Sequence, residues 1–148
     1  ISDLGSGAAL GLEAIRRTLL ACDEVVESSE LTDSIFQHFN HDIDVVVRWS
    51  KRAKPADYGC FAREVFDCAD NDDPLATAIV HQGLEYVSRY IETLRYKGAD
   101  RVALMGSVAE RMKPALLQRF GDLIVEPQQD ALHGALLMAR TASKLEVI

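Results

Sequence analysis

Between positions 9 and 20, apolar residues recur at three- and four-residue intervals: Ala9, Leu10, Leu12, Ala14, Ile15, Leu19 and Leu20. That spacing puts them on one broad face of a helix. It predicts a first helix from about Ser6 to Cys22, with Asp3 ahead of it as a cap. A short second helix is expected after Thr32, carrying Ile35, Phe36 and Phe39 on one side. Asp42 is placed to cap a third, through Val45, Val46, Val47 and Trp49. The β-branched run at 45–47 also suits a strand, but the run is short and the next apolar residue is Trp49, so helix is preferred. Pro55 marks a break. Beyond it, Tyr58, Phe61, Ala62, Val65, Phe66 and Ala69 return to helical spacing. Asp73-Pro74 then combines a good N-cap with a good first helical residue. It opens the longest helix, whose expected buried stripe is Leu75, Ile79, Val80, Leu84, Val87, Ile91 and Leu94. Gly98 follows at the position where a left-handed residue ends a helix.

The texture changes after residue 100. Arg101-Val102-Ala103-Leu104-Met105 is a short apolar run between Asp100 and Gly106-Ser107, which reads as a buried strand. A helix is expected from near Val108, broken or restarted at Pro114. Leu123-Ile124-Val125 reads as a second strand, stopped by Pro127. A last helix is expected from about Gln129 to Ala142, capped by Asp130, with Leu132, Ala135, Leu136 and Ala139 inward. Gly134 inside it suggests close packing against a neighbour, since glycine otherwise costs helix stability. Strand, helix, strand, helix implies a parallel pair with a right-handed crossover. Two strands are too few to stand alone.

The 148 residues are 48% apolar and 26% charged, in the range of a globular domain. No repeat or linker-like tract interrupts them, so a single domain without internal boundary is expected. The net charge of −7 and the scattered basic residues argue against nucleic acid as a partner. No stretch has the length and apolarity to span a bilayer, and no signal peptide is visible, so no membrane partner is expected. Cys22, Cys60 and Cys68 fall in helical patterns, which fits reduced thiols and a cytoplasmic location. The chain opens on Ile1 with a structured element already under way, as expected of a portion of a longer protein.

Three segments carry candidate chemistry. The first is Leu104-Met105-Gly106-Ser107-Val108-Ala109-Glu110, where a strand runs through glycine directly into a helix. Glycine lets a ligand approach the backbone. The helix start offers unpaired N–H groups and a positive dipole end, and ligands of parallel sheets bind beyond the carboxyl ends of strands. On pattern alone the same residues read first as a plain tight turn with Ser107 as N-cap. They match neither the Walker nor the dinucleotide fingerprint. The second is Asp3-Leu4-Gly5-Ser6-Gly7-Ala8 with Leu10-Gly11 behind it. Here small residues permit close approach of a backbone or a ligand, and Asp3 could accept hydrogen bonds from sugar hydroxyls, or only cap the helix. The third is Glu126 to Ala135, in which His133 reads as a surface residue. His38 and His41 have no further ligands at zinc spacing, so no metal site is expected. No nucleophile–base pair is apparent.

Taken in order, these segments resemble the N-acetylglucosamine and glucosamine kinases, within the wider BadF/BadG/BcrA/BcrD-type ATPase family. Asp3-Leu4-Gly5-Ser6-Gly7-Ala8 is similar to that family's Asp-Glu-Gly/Ala-Ser-Gly segment, with Leu4 in place of the usual Glu. Ala103 to Val108 is similar to its adenosine motif, with Gly-Ser where many relatives have Gly-Gly. Pro127 to Leu137 is similar to its closing segment, and Phe61-Ala62 through Ala76 to its helix–turn–helix. The resemblance implies an α/β fold, the helix-rich carboxy-terminal part of a ribonuclease-H-like (actin-like ATPase) domain with a short parallel strand pair. It implies that residues 1–148 form the nucleotide-binding half of an actin-like sugar kinase, working against its own amino-terminal domain. ATP and Mg²⁺ would be the cofactors and an amino sugar the substrate. By resemblance Gly106, Ser107, Val108, Ala109 and Glu110 would contact the nucleotide, Phe61 and Ala62 would line the adenine pocket, and Asp3 would bind the sugar. The family's catalytic aspartate matches no residue here, so no catalytic base is assigned and this portion alone is expected to be inactive. Assembly as a homodimer stays open.

Two other readings compete. ATPase activators of 2-hydroxyacyl-CoA dehydratases and benzoyl-CoA reductases share the fold but hold an iron–sulfur cluster through cysteines. Here the cysteines are expected inside amphipathic helices rather than in an exposed glycine-flanked loop. A non-catalytic helical interaction module is the third reading, and burial of the Gly106-Ser107 turn under side chains would favour it.

Overall fold

The computed structural model describes residues 3–145, and side chains as far as residue 140. The elements are α1 (Gly7–Cys22), α2 (Glu30–His38), α3 (Ile43–Ser50), α4 (Pro55–Gly59), α5 (Ala62–Asp70), α6 (Pro74–Tyr96), β1 (Val102–Ala103), α7 (Ser107–Phe120), β2 (Ile124–Val125) and α8 (Ala131–Leu145). A single 3₁₀ turn, Gly121–Leu123, leads into β2. The chain divides into two compact units, one up to Thr93 and one from Leu94 on. A single undivided domain was the expectation. The division falls near the end of α6, where no proline, glycine or serine tract announces it.

In the first unit, α1 packs against α4, α2 and α5. Its core holds Leu10, Ala14 and Ile15 of α1, Leu31 and Ile35 of α2, Val46 of α3, and Val65 and Phe66 of α5. The 45–47 run is helical, as expected, and Asp42 caps it by accepting the N–H groups of Asp44 and Val45 at 2.8 and 3.2 Å. Asp73 caps α6, accepting from Ala76 N–H at 2.8 Å, and its second oxygen takes the Leu31 N–H at 3.0 Å. One buried carboxylate therefore serves the starts of two helices. Burial alone would raise the Asp73 pKa, but the backbone hydrogen bonds from Ala76 and Leu31 outweigh it and hold the pKa below the ordinary value.

Several expectations are corrected here. Asp3 does not cap α1. Ser6 does, its hydroxyl accepting from Ala9 N–H at 3.1 Å. The second helix starts at Glu30 rather than after Thr32, because Thr32 reaches back to accept the Ser29 N–H at 2.8 Å. The buried stripe of α6 runs through Ala76, Ile79, Gly83, Ser88 and Ile91, while Leu94 is exposed. The stripe includes Gly83, whose carbonyl the turn at Gly5 approaches closely, so the large apolar side chains alone do not mark it.

In the second unit, β1 and β2 are parallel, with Val102 opposite Ile124 and Ala103 opposite Val125. This is the expected pair, shortened to two residues each and only partly buried. Ile124, Met112 and Leu116 supply the buried apolar residues. Gly98 ends α6 as expected: it sits at φ +93°, with the N–H of Gly98 on Arg95 C=O and that of Ala99 on Leu94 C=O, both at 3.0 Å. Pro114 neither breaks nor restarts α7, which runs through it. Pro114 and Glu110 are both exposed, so water can take the place of the hydrogen bond that proline removes. Asp130 caps α8, accepting from His133 N–H at 2.8 Å. The face of α8 expected to turn inward is open, with Leu132 at 69% exposure and Leu136 at 54%. Gly134 likewise meets nothing where a side chain would stand, so close packing does not explain it.

Candidate functional site

The candidate residues fall in both units: Asp3, Phe61 and Ala62 in the first, Gly106 through Glu110 in the second. In the first unit the chain turns sharply before α1. The Asp3 carbonyl accepts the Ser6 N–H at 2.9 Å, and Asp3 Oδ2 accepts the Ser6 hydroxyl at 3.3 Å. Two glycines seat this turn. Gly5 has φ +85°, and a Cβ there would lie 2.8 Å from Val87 Cγ2 and 3.1 Å from the Gly83 carbonyl oxygen. A Cβ on Gly11 would lie 1.8 Å from the Tyr58 carbonyl oxygen, so α1 and α4 can meet only because that side chain is missing. The expected close approach is therefore to another backbone. Asp3 itself is exposed, at the edge of a cleft of about 450 Å³ whose walls include Ala9, Leu12, Tyr58, Gln82 and Tyr86. A carboxylate held by its own turn, with its remaining lone pairs facing open space, can accept hydrogen bonds from hydroxyl groups.

Phe61 is half-buried in an aromatic cluster, with ring centroids 5.8 Å from Trp49, 6.0 Å from Phe39 and 5.6 Å from His38. Ala62 beside it is buried. Sequence reasoning missed two neighbours. Glu64 bridges α5 to α2, accepting from the Ser34 hydroxyl and lying 3.2 Å from His38 Nε2. Trp49 is the hub on which Phe39, Tyr58 and Phe61 converge. Helical spacing identified these as apolar-face residues but could not tell which rings would meet.

In the second unit, β1 leads through Leu104 and Met105 to Gly106, at φ +97° and ψ 161°. That region is open essentially to glycine alone. Gly106 itself, not Ser107, is the cap residue of α7, and it has no side chain to offer as an acceptor. The Glu110 N–H closes the first turn on the Gly106 carbonyl at 3.0 Å. The N–H groups of Ser107, Val108 and Ala109 lie ahead of the first intrahelical bond, at the positive end of the dipole. Gly106, Ser107 and Glu110 are exposed, Val108 and Ala109 half-buried. No atom comes within 4 Å of where a Gly106 Cβ would be. The corner is thus open to solvent, the arrangement that the interaction-module reading did not anticipate. A groove of about 640 Å³ adjoins the carboxyl ends of both strands, lined in part by Ala103, Met105, Val125 and Glu126. His133 is exposed on its wall, as the sequence suggested. Such an open helix start suits a phosphate or another anion.

The cysteines differ from expectation at one point. Cys22 and Cys68 lie inside helices, but Cys60 is the exposed residue ending α4, directly after Gly59. Among the described residues no three His, Cys, Asp or Glu side chains gather as a metal site would require, and no helix is long and apolar enough to cross a membrane.

With this geometry in view, the similarities to known proteins can be placed. No protein-family model matches the chain. It is 45% identical over 139 residues to the glucosamine kinase GspK of Vibrio cholerae serotype O1, a match covering 94% of this chain and 47% of the relative. Over nearly its whole length the chain is similar to the N-acetylglucosamine and glucosamine kinases. A solved structure agrees: a Chromobacterium violaceum protein provisionally described as an N-acetylglucosamine kinase superposes with a TM-score of 0.83 at 32% identity, covering 91% of this chain and 47% of that one. The chain spans about half the length of both relatives. The matched half of that structure shares the helix-rich architecture with a short parallel strand pair described above.

Proposed function

We propose that this chain is the nucleotide-binding, carboxy-terminal half of an ATP-dependent amino-sugar kinase that phosphorylates glucosamine or N-acetylglucosamine. The observation that carries the reading is the 45% identity to a glucosamine kinase across nearly the whole chain. The open Gly106 corner supports it: unpaired N–H groups at a helix start can hold phosphate oxygens without any side chain. In this reading Gly106, Ser107, Val108, Ala109 and Glu110 face the nucleotide, and Phe61 and Ala62 stand on its adenine side. Asp3 accepts from sugar hydroxyls and orients the acceptor. Transfer of the γ-phosphoryl is in-line and depends on positioning and charge neutralisation. Mg²⁺ would neutralise the phosphates while keeping most of its waters, which suits a chain with no cluster of ligands among its described residues. The catalytic base and the first phosphate loop come from the amino-terminal domain, whose closure excludes water. The protein works in the cytoplasm.

The test uses the full-length protein with ATP and Mg²⁺, and a panel of hexoses and amino sugars. ADP release that depends on glucosamine or N-acetylglucosamine is expected. Gly106→Val should reduce kcat/KM at least tenfold, because valine cannot adopt the backbone conformation of that corner. Absence of sugar-dependent turnover across the panel would overturn the kinase reading. An iron-containing, coloured preparation would favour the ATPase-activator reading instead.

A further inference from the structure

A concave groove lies on the outer face of α3, behind the ring contact of Trp49 with Phe61. Val45 and Trp49, and likewise Arg48 and Arg52, are four residues apart, so the two pairs run side by side along the helix and its exit. Together with Ala53 and Asp57 they line a concave groove of about 470 Å³. Trp49 is half-buried. Its ring is held edge-on by Phe39 and Tyr58, with centroids at 5.2 and 5.0 Å, so one wall of the groove is a fixed aromatic surface. Arg48 and Arg52, four positions apart and both exposed, line the same groove. Among the described residues neither has a carboxylate partner. Asp57 is the acid nearest in the groove wall, and one of its oxygens already accepts the Lys54 N–H at 2.7 Å. Lys51 and Lys54 add to the charge, giving four cations between positions 48 and 54 of a chain whose net charge is −7.

Cations near a helix C-terminus favour the helix dipole, and that alone accounts for basic residues at the end of α3. It does not account for their sharing a concavity with a clamped indole. A rigid ring offers a stacking face at little entropic cost. Guanidinium groups present planar, forked donors that match carboxylate and phosphate oxygens. We propose that this groove binds a small planar aromatic anion, its ring against Trp49 and its phosphate or carboxylate held by Arg48 and Arg52. The proposal does not rest on the kinase reading.

Phenyl phosphate is the probe, titrated into the full-length protein and followed by calorimetry and by tryptophan emission, with Trp49→Phe identifying the part of the signal that Trp49 supplies. Benzoate tests the carboxylate in place of the phosphate. Inorganic phosphate carries the charge without the ring, and benzyl alcohol the ring without the charge. Saturable binding of phenyl phosphate or benzoate, with a change in Trp49 emission, is expected, and the other two should bind at least tenfold more weakly. The double variant Arg48→Gln, Arg52→Gln keeps side-chain bulk on an exposed face and should fold, as circular dichroism will check. It should weaken binding at least tenfold, whereas Gly106→Val should leave it unchanged. Equal binding of inorganic phosphate, binding untouched by the double variant, loss of binding in Gly106→Val, or no binding of either aromatic anion would each overturn the proposal.

Discussion

The two units solve the problem of burying apolar surface with unequal success. The first closes a core from six helices, in which Leu31, Ile35, Val46 and Val65 have no exposed surface at all. The second buries Met112, Leu116 and Ile124 but leaves Leu132, Leu136, Leu137 and Met138 of α8 more than half exposed. The difference follows from what each has to pack against. Helices meeting face to face can share long stripes. A sheet of two strands, two residues each, has little face to cover. The comparison teaches that amphipathic spacing makes a helix ready to bury a face but does not supply the surface that buries it.

The sharpest way to break this comparison is at Gly11. Its substitution by valine should cost about 4 kcal/mol or more, because the first β-carbon already overlaps the Tyr58 carbonyl. A urea midpoint close to wild type would show that α4 can retreat and that the first unit is less tightly closed than described. Next in size is Asp73→Ala, expected to cost about 2 kcal/mol, since it uncaps α6 and leaves the buried Leu31 N–H without its acceptor. The pH dependence sharpens it. The folded pKa of Asp73 is depressed, so its contribution is fully present above the unfolded carboxylate value of about 3.9. It is lost as pH falls through the lower, folded value. The gap between wild type and variant should therefore be constant near neutrality and close in acid; a gap that widens on acidification would contradict the hydrogen-bond assignment. Smallest is Met138→Ser on α8, expected to change stability by no more than about 0.5 kcal/mol because that side chain is 76% exposed. A loss of 2 kcal/mol or more would mean that the face of α8 is covered in the protein after all.

What was legible in the sequence was mostly local chemistry. Asp42, Asp73-Pro74 and Asp130 announce helix starts and Gly98 a helix stop, because each acts through backbone groups within a few residues. The order of strands and helices after residue 100, and hence the parallel pair, was legible for the same reason. The Gly106 corner was found as a motif, though its cap proved to be the glycine rather than Ser107. What depends on neighbours far along the chain was not legible. Leu94 lies outside the α6 stripe, while Gly83 and Ser88 lie within it, and hydrophobic spacing passes over such small residues. The inward face assigned to α8 required a surface that periodicity cannot report. Pro114 breaks a helix only where the lost hydrogen bond has no water to replace it. The contact of Phe61 with Trp49, twelve positions earlier, could not be read from either residue alone.

The uneven setting of the three thiols has a practical consequence. Cys68 is buried among Glu30, Asp73, Glu64 and Asp67, and burial with those charges pushes its pKa up to about 11, so it stays protonated at neutral pH. Cys22 is raised as well, by burial and by Asp23 and Asp33. Cys60 stands exposed, one position before Phe61. A maleimide dye or spin label added at neutral pH would attach there first, giving a spectroscopic reporter beside the aromatic cluster without any engineered cysteine.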